Sequence, residues 1–330
     1  MIQGSENPQV EALRRRAPRV SYRDADAASV LNDPGVLAVF GFGSAAPDLP
    51  DPRYLKVALE AFEESPSLEV WQVDAPVDHG LEGALHWSAG GGWLFAAIDL
   101  DEREHGGPCT TAKLAYETLH HFVAGRGVRH VLRVWNYLAA INQGEGDAER
   151  YKRFCEGRAT GMADFFAEGF PAATAIGHRD VAHRLQVYLL ACDQAGERIE
   201  NPRQVSAWRY PRQYGRTPPS FARAMTLPAH DALAISGTAA VVGHASAHQD
   251  NLGAQLAETM TNLAALLSSS GMPAGFDQHS PLKVYVRHGA DVPRVSEFLR
   301  EHLPGVPALL LQGDICRREL LVEIDGWRYA

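Results

Sequence analysis

From Leu68 onward, short apolar stretches are separated by Gly, Asp and Pro. This spacing predicts strands near 68–74, 82–88 and 92–99. A helix follows at about 111–125, with Leu114, Thr118, Phe122 and Val123 on one face. The β-branched run Val128–Val134 reads as a strand, 147–168 as a longer helix, and 173–177 and 184–192 as two more strands. Beyond a polar, Pro-rich connector from Glu197 to Pro219 a similar succession begins. It comprises a short segment at Ala222–Leu227, the strand Ala232–Ser236, and a helix over roughly 250–269. In that helix Leu252, Leu256, Met260, Leu263 and Leu267 recur at helical spacing, with Asp250 near its start. The strand Leu282–Arg287, a helix at about 292–303 with Asp291 as candidate N-cap, and the strands Pro307–Gln312 and Glu319–Asp325 close the chain. The pattern predicts an α/β (α+β) protein of two similar lobes, each a mixed β-sheet with helices on one face. The lobes are expected at 1–196 and 221–330, joined by a connector at 197–220.

Composition narrows the function classes. The 330 residues are 45% hydrophobic and 22% charged, enough for a substantial core, and 31 Lys+Arg against 40 Asp+Glu give a net charge of −9. That balance argues against a nucleic-acid backbone as partner. The basic cluster Arg14-Arg15-Arg16 with Arg19 reads as a solvated helix face. No apolar run is long enough to cross a bilayer, and Trp93–Ile98 reads as a buried strand. The segment Met1–Glu6 lacks the basic and apolar regions of a secretory leader, so a cytoplasmic location is expected. Cysteines 109, 155, 192 and 316 have no CxxC spacing and read as reduced thiols. Neither a nucleotide-binding glycine loop, nor HExxH, nor GxSxG is present. His244 and His248 read as solvated or capping side chains, and no metal site is expected.

Two segments carry candidate chemistry. The connector run Trp208–Arg216 holds three arginines and three aromatics. It is either a rigid strap over apolar surface or one wall of a site for an anionic, partly unsaturated ligand. In the last strand, alternation puts Leu321, Glu323 and Asp325 on one face and Leu320, Val322 and Ile324 on the other. If the even-numbered face meets the helices, Glu323 looks away from them. It is then either a solvated carboxylate or a desolvated, protonated carboxyl at the mouth of a cleft between lobes.

Residues 222–325 resemble a Rid/YjgF domain, notably in Phe221-Ala222-Arg223-Ala224, Ile235-Ser236-Gly237-Thr238-Ala239, the helix Gln255–Leu267, Val284-Tyr285-Val286 and Leu321-Val322-Glu323-Ile324. With the extra N-terminal lobe, Arg133-Val134-Trp135-Asn136-Tyr137-Leu138 and the run Tyr214–Ala224, the chain from about residue 37 resembles the chorismatase family. The resemblance implies two Rid/YjgF-like lobes and a cofactor-independent enzyme. Its substrate would be the dicarboxylate chorismate, whose enolpyruvyl ether is cleaved to release pyruvate. Guanidinium groups suit the two carboxylates and aromatic walls suit the ring.

Cleavage begins by protonating the methylene carbon, and Glu323 is the candidate acid. A free glutamic acid is protonated only about once in 500 molecules at pH 7, so the site must raise its pKa. In the family, a cysteine seven residues before the acid goes with 3-hydroxybenzoate formation, and Cys316 stands there. Ala239 and Ala240 point instead to the hydrolytic branch, which yields a dihydroxycyclohexadiene carboxylate, and a mixed pattern is compatible with additional 4-hydroxybenzoate. Substrate contacts are expected from Arg133, Tyr210, Tyr214, Arg223, Gly237, Ala239 and Arg287. The competing readings are a Rid-type imine deaminase, weakened by the lack of an arginine in Pro307–Gln312, and a non-catalytic small-acid binding protein with an exposed Glu323. A monomer is expected.

Overall fold

The computed structural model describes residues 15–330 apart from 64, 168, 181 and 182. Arg14 and the segment Met1–Glu6 therefore lie outside the described residues. Arg15 and Arg19 are paired on the surface with Asp193 and Asp74, at 2.8 and 3.2 Å, and Arg19 opens a strand rather than a helix.

Three sheets meet around one core. The first has four strands, β1–β4 (Arg19–Arg23, Val36–Phe42, Tyr54–Val57, Leu68–Gln72), in the order β1-β4-β2-β3. Alternation argues poorly for this sheet, because β2 is buried at every position. The second has seven strands. Six are β5–β10 (Asp78–Glu82, Leu85–Gly90, Trp93–Asp101, His130–Ala139, Ala172–His178, Arg184–Cys192), and the seventh is β18 (Asp314–Ile315) from near the C-terminus. The third has six: β11–β13 (Glu197–Ile199, Ala224–Thr226, Ala232–Thr238), β16 and β17 (Leu282–Val286, Ala308–Gln312) and β19 (Val322–Tyr329). A two-stranded ribbon, β14 and β15 (Val241–Val242, Ala245–Ser246), stands beside it.

Several expectations shift. The predicted strand 82–88 is two strands, split by a tight turn at Gly83 with φ +61°. The helix expected at 147–168 is Arg150–Met162 and ends where Ala163 takes φ 41°. Asp250 is not the cap of helix Leu252–Ser270; the Asn251 side chain accepts from the Ala254 N–H at 3.0 Å. The connector is partly sheet, since β11 pairs with β12.

Helices Pro108–Gly125 and Arg150–Met162 cover the seven-stranded sheet. Helices Leu252–Ser270 and Val292–His302 cover the six-stranded one. The faces turned away from the helices pack on each other and on the first sheet, with Phe40, Trp71, Phe95, Trp135, Tyr188 and Trp327 at the centre. In β19, Val322 and Ile324 join the helix-side core, while Trp327 and the Glu323–Asp325 face turn inward to the junction. The six-stranded sheet is stitched to β9: Ala173 N–H donates to Ser236 Oγ at 2.9 Å, and Ala222 N–H to Pro171 O at 2.9 Å.

Candidate active site

Along this seam lies a cavity of about 230 Å³. Its floor comes from Asn136 and Thr174 of the seven-stranded sheet and from Gly237 and Glu323 of the six-stranded one. Helix Arg150–Met162 supplies Tyr151, Phe154 and Arg158, the connector supplies Tyr210 and Tyr214, and the loop after β18 supplies Cys316 and Arg317.

Glu323 is 5% exposed, and no described residue makes a hydrogen bond to its carboxyl. Its pKa is pushed up to about 8, first by burial and second by the nearby Asp325, against the opposing pull of Arg133, Arg223 and Arg317. The solvated reading of this residue is thereby excluded. Gly237 explains its placement. β13 carries an extra residue between Ile235 and Thr238, and a Cβ on Gly237 would stand 1.9 Å from Glu323 Oε1. The missing side chain at Gly237, an expected substrate contact that also lines the cavity, thus makes room for the acid. Ala239 lines the same cavity. Cys316 lies beside the acid and is a neutral thiol, pushed up to about 12 by burial and by Glu323.

Arg223 is buried; one Nη donates to the Tyr210 hydroxyl at 2.7 Å and to Val205 O at 2.9 Å, while its Nε has no partner. Tyr210 and Tyr214 pack with ring centroids 5.2 Å apart. The Arg317 guanidinium lies 4.0 Å over the Tyr214 ring and donates to His244 O at 2.8 Å, which fixes that wall.

Two expected contacts are corrected. Arg133 does not line the cavity: its guanidinium is fully buried and taken by Asp325 at 3.0 Å, Ile235 O at 3.0 Å and Val134 O at 2.8 Å. Arg287 donates to Leu320 O, Ile315 O and Arg317 O at 2.7, 2.8 and 2.9 Å, and to Asn142 and Asp314. It holds the loop that carries Cys316 instead of reaching the cavity, because a strand-end guanidinium satisfies the nearest unpaired carbonyls.

Arg158 is the residue that sequence reasoning missed. It is 4% exposed, lines the cavity, and leaves Nε and Nη2 without partners. Its helix presses against Pro108–Gly125 through Gly157 and Gly161, where a Cβ would meet Cys109 O at 1.8 Å and Lys113 O at 2.4 Å. Close approach brings the Arg158 guanidinium to 5.1 Å from the Tyr116 ring. The available signal was helical spacing, since Arg158 shares a face with Phe154 and Cys155 and not with the exposed charges. The cavity therefore brings together two largely buried guanidinium side chains, Arg158 and Arg223, an aromatic wall and one buried carboxyl whose pKa is raised. That set suits a small dianion with a ring and a proton-accepting centre.

Comparison with known proteins finds the chain similar to chorismatases. The profile of the family described as chorismatase FkbO/Hyg5-like, N-terminal, matches residues 69–191. A 3-hydroxybenzoate synthase of Streptomyces hygroscopicus is 36% identical over 290 residues, covering 82% of this chain and 84% of that protein. A chorismatase of Streptomyces rapamycinicus is 32% identical over 286 residues, covering 80% and 83%. A crystal structure of a chorismatase superposes with a TM-score of 0.85 at 29% identity, covering 95% of this chain and 98% of that one.

Proposed function

The chain belongs to the chorismatase family, and from that premise we propose that it is an enzyme cleaving the enolpyruvyl ether of chorismate to pyruvate and 3-hydroxybenzoate. The observation that carries the reading is the buried Glu323 carboxyl, its pKa pushed up to about 8, in a cavity lined by the buried guanidinium groups of Arg158 and Arg223. Arg158 and Arg223 take the two carboxylates, and the Tyr210–Tyr214 wall covers the ring. Bound dianion adds negative charge and holds the Glu323 proton more firmly.

Glu323 protonates the methylene carbon, making the ether carbon an oxocarbenium ion. The adjacent ring hydroxyl oxygen bonds to the ether-bearing ring carbon as the bond from that carbon to the ether oxygen breaks and pyruvate leaves with that oxygen. Loss of one ring proton to the Glu323 carboxylate then aromatises the ring to the hydroxybenzoate and restores the acid. The methylene gains one proton and the ring loses one, so the two products contain every atom of the substrate and no co-reactant is consumed. The Cys316 thiol, uncharged beside Glu323, is the side chain closest in kind to the product-directing cysteine of the aromatising relatives. One observation favours a hydrolytic second reading, which yields a dihydroxycyclohexadiene carboxylate: Ala239 lines the cavity where the aromatising branch prefers glycine. The test is incubation of the purified protein with chorismate, without metal or nucleotide, followed by chromatography. Pyruvate with 3-hydroxybenzoate supports the first reading, pyruvate with a non-aromatic diol the second, and no pyruvate overturns both.

A further inference from the structure

Asp325 lies two residues beyond Glu323 on the same face of β19, and the reaction above gives it no step. It is fully buried, yet its bonding is lopsided. One oxygen, Oδ2, accepts from Arg133 Nη2, Trp135 Nε1 and the Tyr285 hydroxyl, each at 3.0 Å, and from the Thr174 hydroxyl at 2.6 Å. The other, Oδ1, has no partner among the described residues. The Thr174 hydroxyl also accepts from the Gly237 N–H at 2.9 Å, so one side chain ties Asp325 to the backbone that makes room for the acid. A buried ion pair contributes little net stability, and a buried oxygen without a donor is costly. Packing alone does not account for a carboxylate here.

We propose that Asp325 is a positioning residue for the reaction, its buried negative charge keeping the neighbouring Glu323 in the protonated, proton-donating form while Thr174 and Arg133 fix the two side chains relative to each other. The inference rests on the reading of Glu323 as the proton donor. Arg133 from β8, Arg223 from the segment before β12 and Arg317 from the cavity loop face Glu323 and favour its ionisation; the neutral Cys316 and Tyr151 also stand beside it. Asp325 opposes those three cations. It is faced in turn by Arg133 and Tyr137 on β8, Tyr188 on β10, Lys283 and Tyr285 on β16, and Tyr22 on β1. Same-face neighbours on a strand are about 6.5–7 Å apart, and a unit charge at that distance moves a partly buried carboxyl by roughly one to two pH units.

The experiment is the pH profile of kcat/KM for pyruvate release in Asp325→Asn. The basic limb moves down by about one to two units, so the loss relative to wild type is about tenfold or more larger at pH 8.5 than at pH 5.5. A uniform loss at every pH, with the limb unmoved, is what a merely structural residue gives and overturns the proposal. Tyr285→Phe deletes one donor to Asp325 while keeping its charge, so its limb moves up by a few tenths of a unit. Should Asp325→Asn not fold, this variant decides, and an unmoved or lowered limb overturns the proposal. Glu323→Gln separates the two claims. With Glu323→Gln inactive and the Asp325→Asn limb unmoved, only the role of Asp325 falls, whereas a fully active Glu323→Gln removes the proton-donor reading itself.

Discussion

Replacing Gly237 by alanine tests whether the acid owes its place to a missing side chain. Gly237 is not in the left-handed backbone region, so alanine meets no conformational penalty there and only space is at issue. The new Cβ would lie 1.9 Å from Glu323 Oε1, 2.8 Å from its Cδ and 3.3 Å from Thr174 Cγ2, whereas real Cβ contacts are essentially never below 3.0 Å. The carboxyl must therefore retreat by about 1 Å. The backbone cannot yield instead, because the Gly237 N–H is held by Thr174 at 2.9 Å and β13 lies between β12 and β19. Overpacking of this kind costs about 1–3 kcal/mol. A displacement near 1 Å at a reacting group costs about 100-fold in rate. The assay is kcat/KM for pyruvate release, with Tm measured alongside. The expected result is a loss of about two orders of magnitude with a Tm fall of a few degrees. Turnover within threefold of wild type would refute the packing argument.

Five other outcomes follow from the same geometry. Glu323→Gln removes pyruvate release by at least about 1,000-fold while circular dichroism stays native, and retained turnover reassigns the acid. In the wild type the protonated carboxyl is the active form, so kcat/KM is level below about pH 8 and falls about tenfold per unit above it; a rise through that range contradicts the role. Because folding raises this carboxyl from 4.5 to about 8, its contribution to stability is present below the lower value and is lost as pH climbs through the upper one. The loss is on the order of 4 kcal/mol, so Glu323→Gln gains Tm over wild type between pH 5 and 8, and parallel Tm curves count against the burial argument. Arg158→Met raises KM for chorismate about 10- to 100-fold, since a charged hydrogen bond contributes roughly 1.5–3 kcal/mol, and an unchanged KM places the carboxylate elsewhere. Cys316→Ala alters the ratio of aromatic to non-aromatic product, read by chromatography, and an unchanged ratio leaves Cys316 as packing.

Much of the site was visible because its signals are local. Alternation along β19 put Glu323 opposite Val322 and Ile324, and a strand face is fixed by its own residues once one side carries the apolar set. The unusual Arg and aromatic content of Trp208–Arg216 marked the wall on which Tyr210 and Tyr214 stand. Periodicity likewise found the helices on both large sheets, with ends displaced by a few residues where Ala163 and Asn251 set them.

The destinations of the arginines were decided elsewhere. Whether a guanidinium meets a ligand or a protein acceptor depends on groups brought close only by folding: Asp325 claims Arg133 across 192 residues, and Leu320 O claims Arg287 across 33. Arg158, in a helix rich in exposed charge, is buried against Tyr116 because two glycines let that helix close on its neighbour. Of the four-stranded sheet of residues 19–72 only the strand near 68–74 was readable, and β2 was not, since it is buried throughout and has no polar face to give it a period. Local chemistry thus determined what each segment is and which way its side chains face. Only the meeting of three sheets decided which charges stay unpaired, because desolvation and partner choice belong to the whole fold and not to any stretch of it.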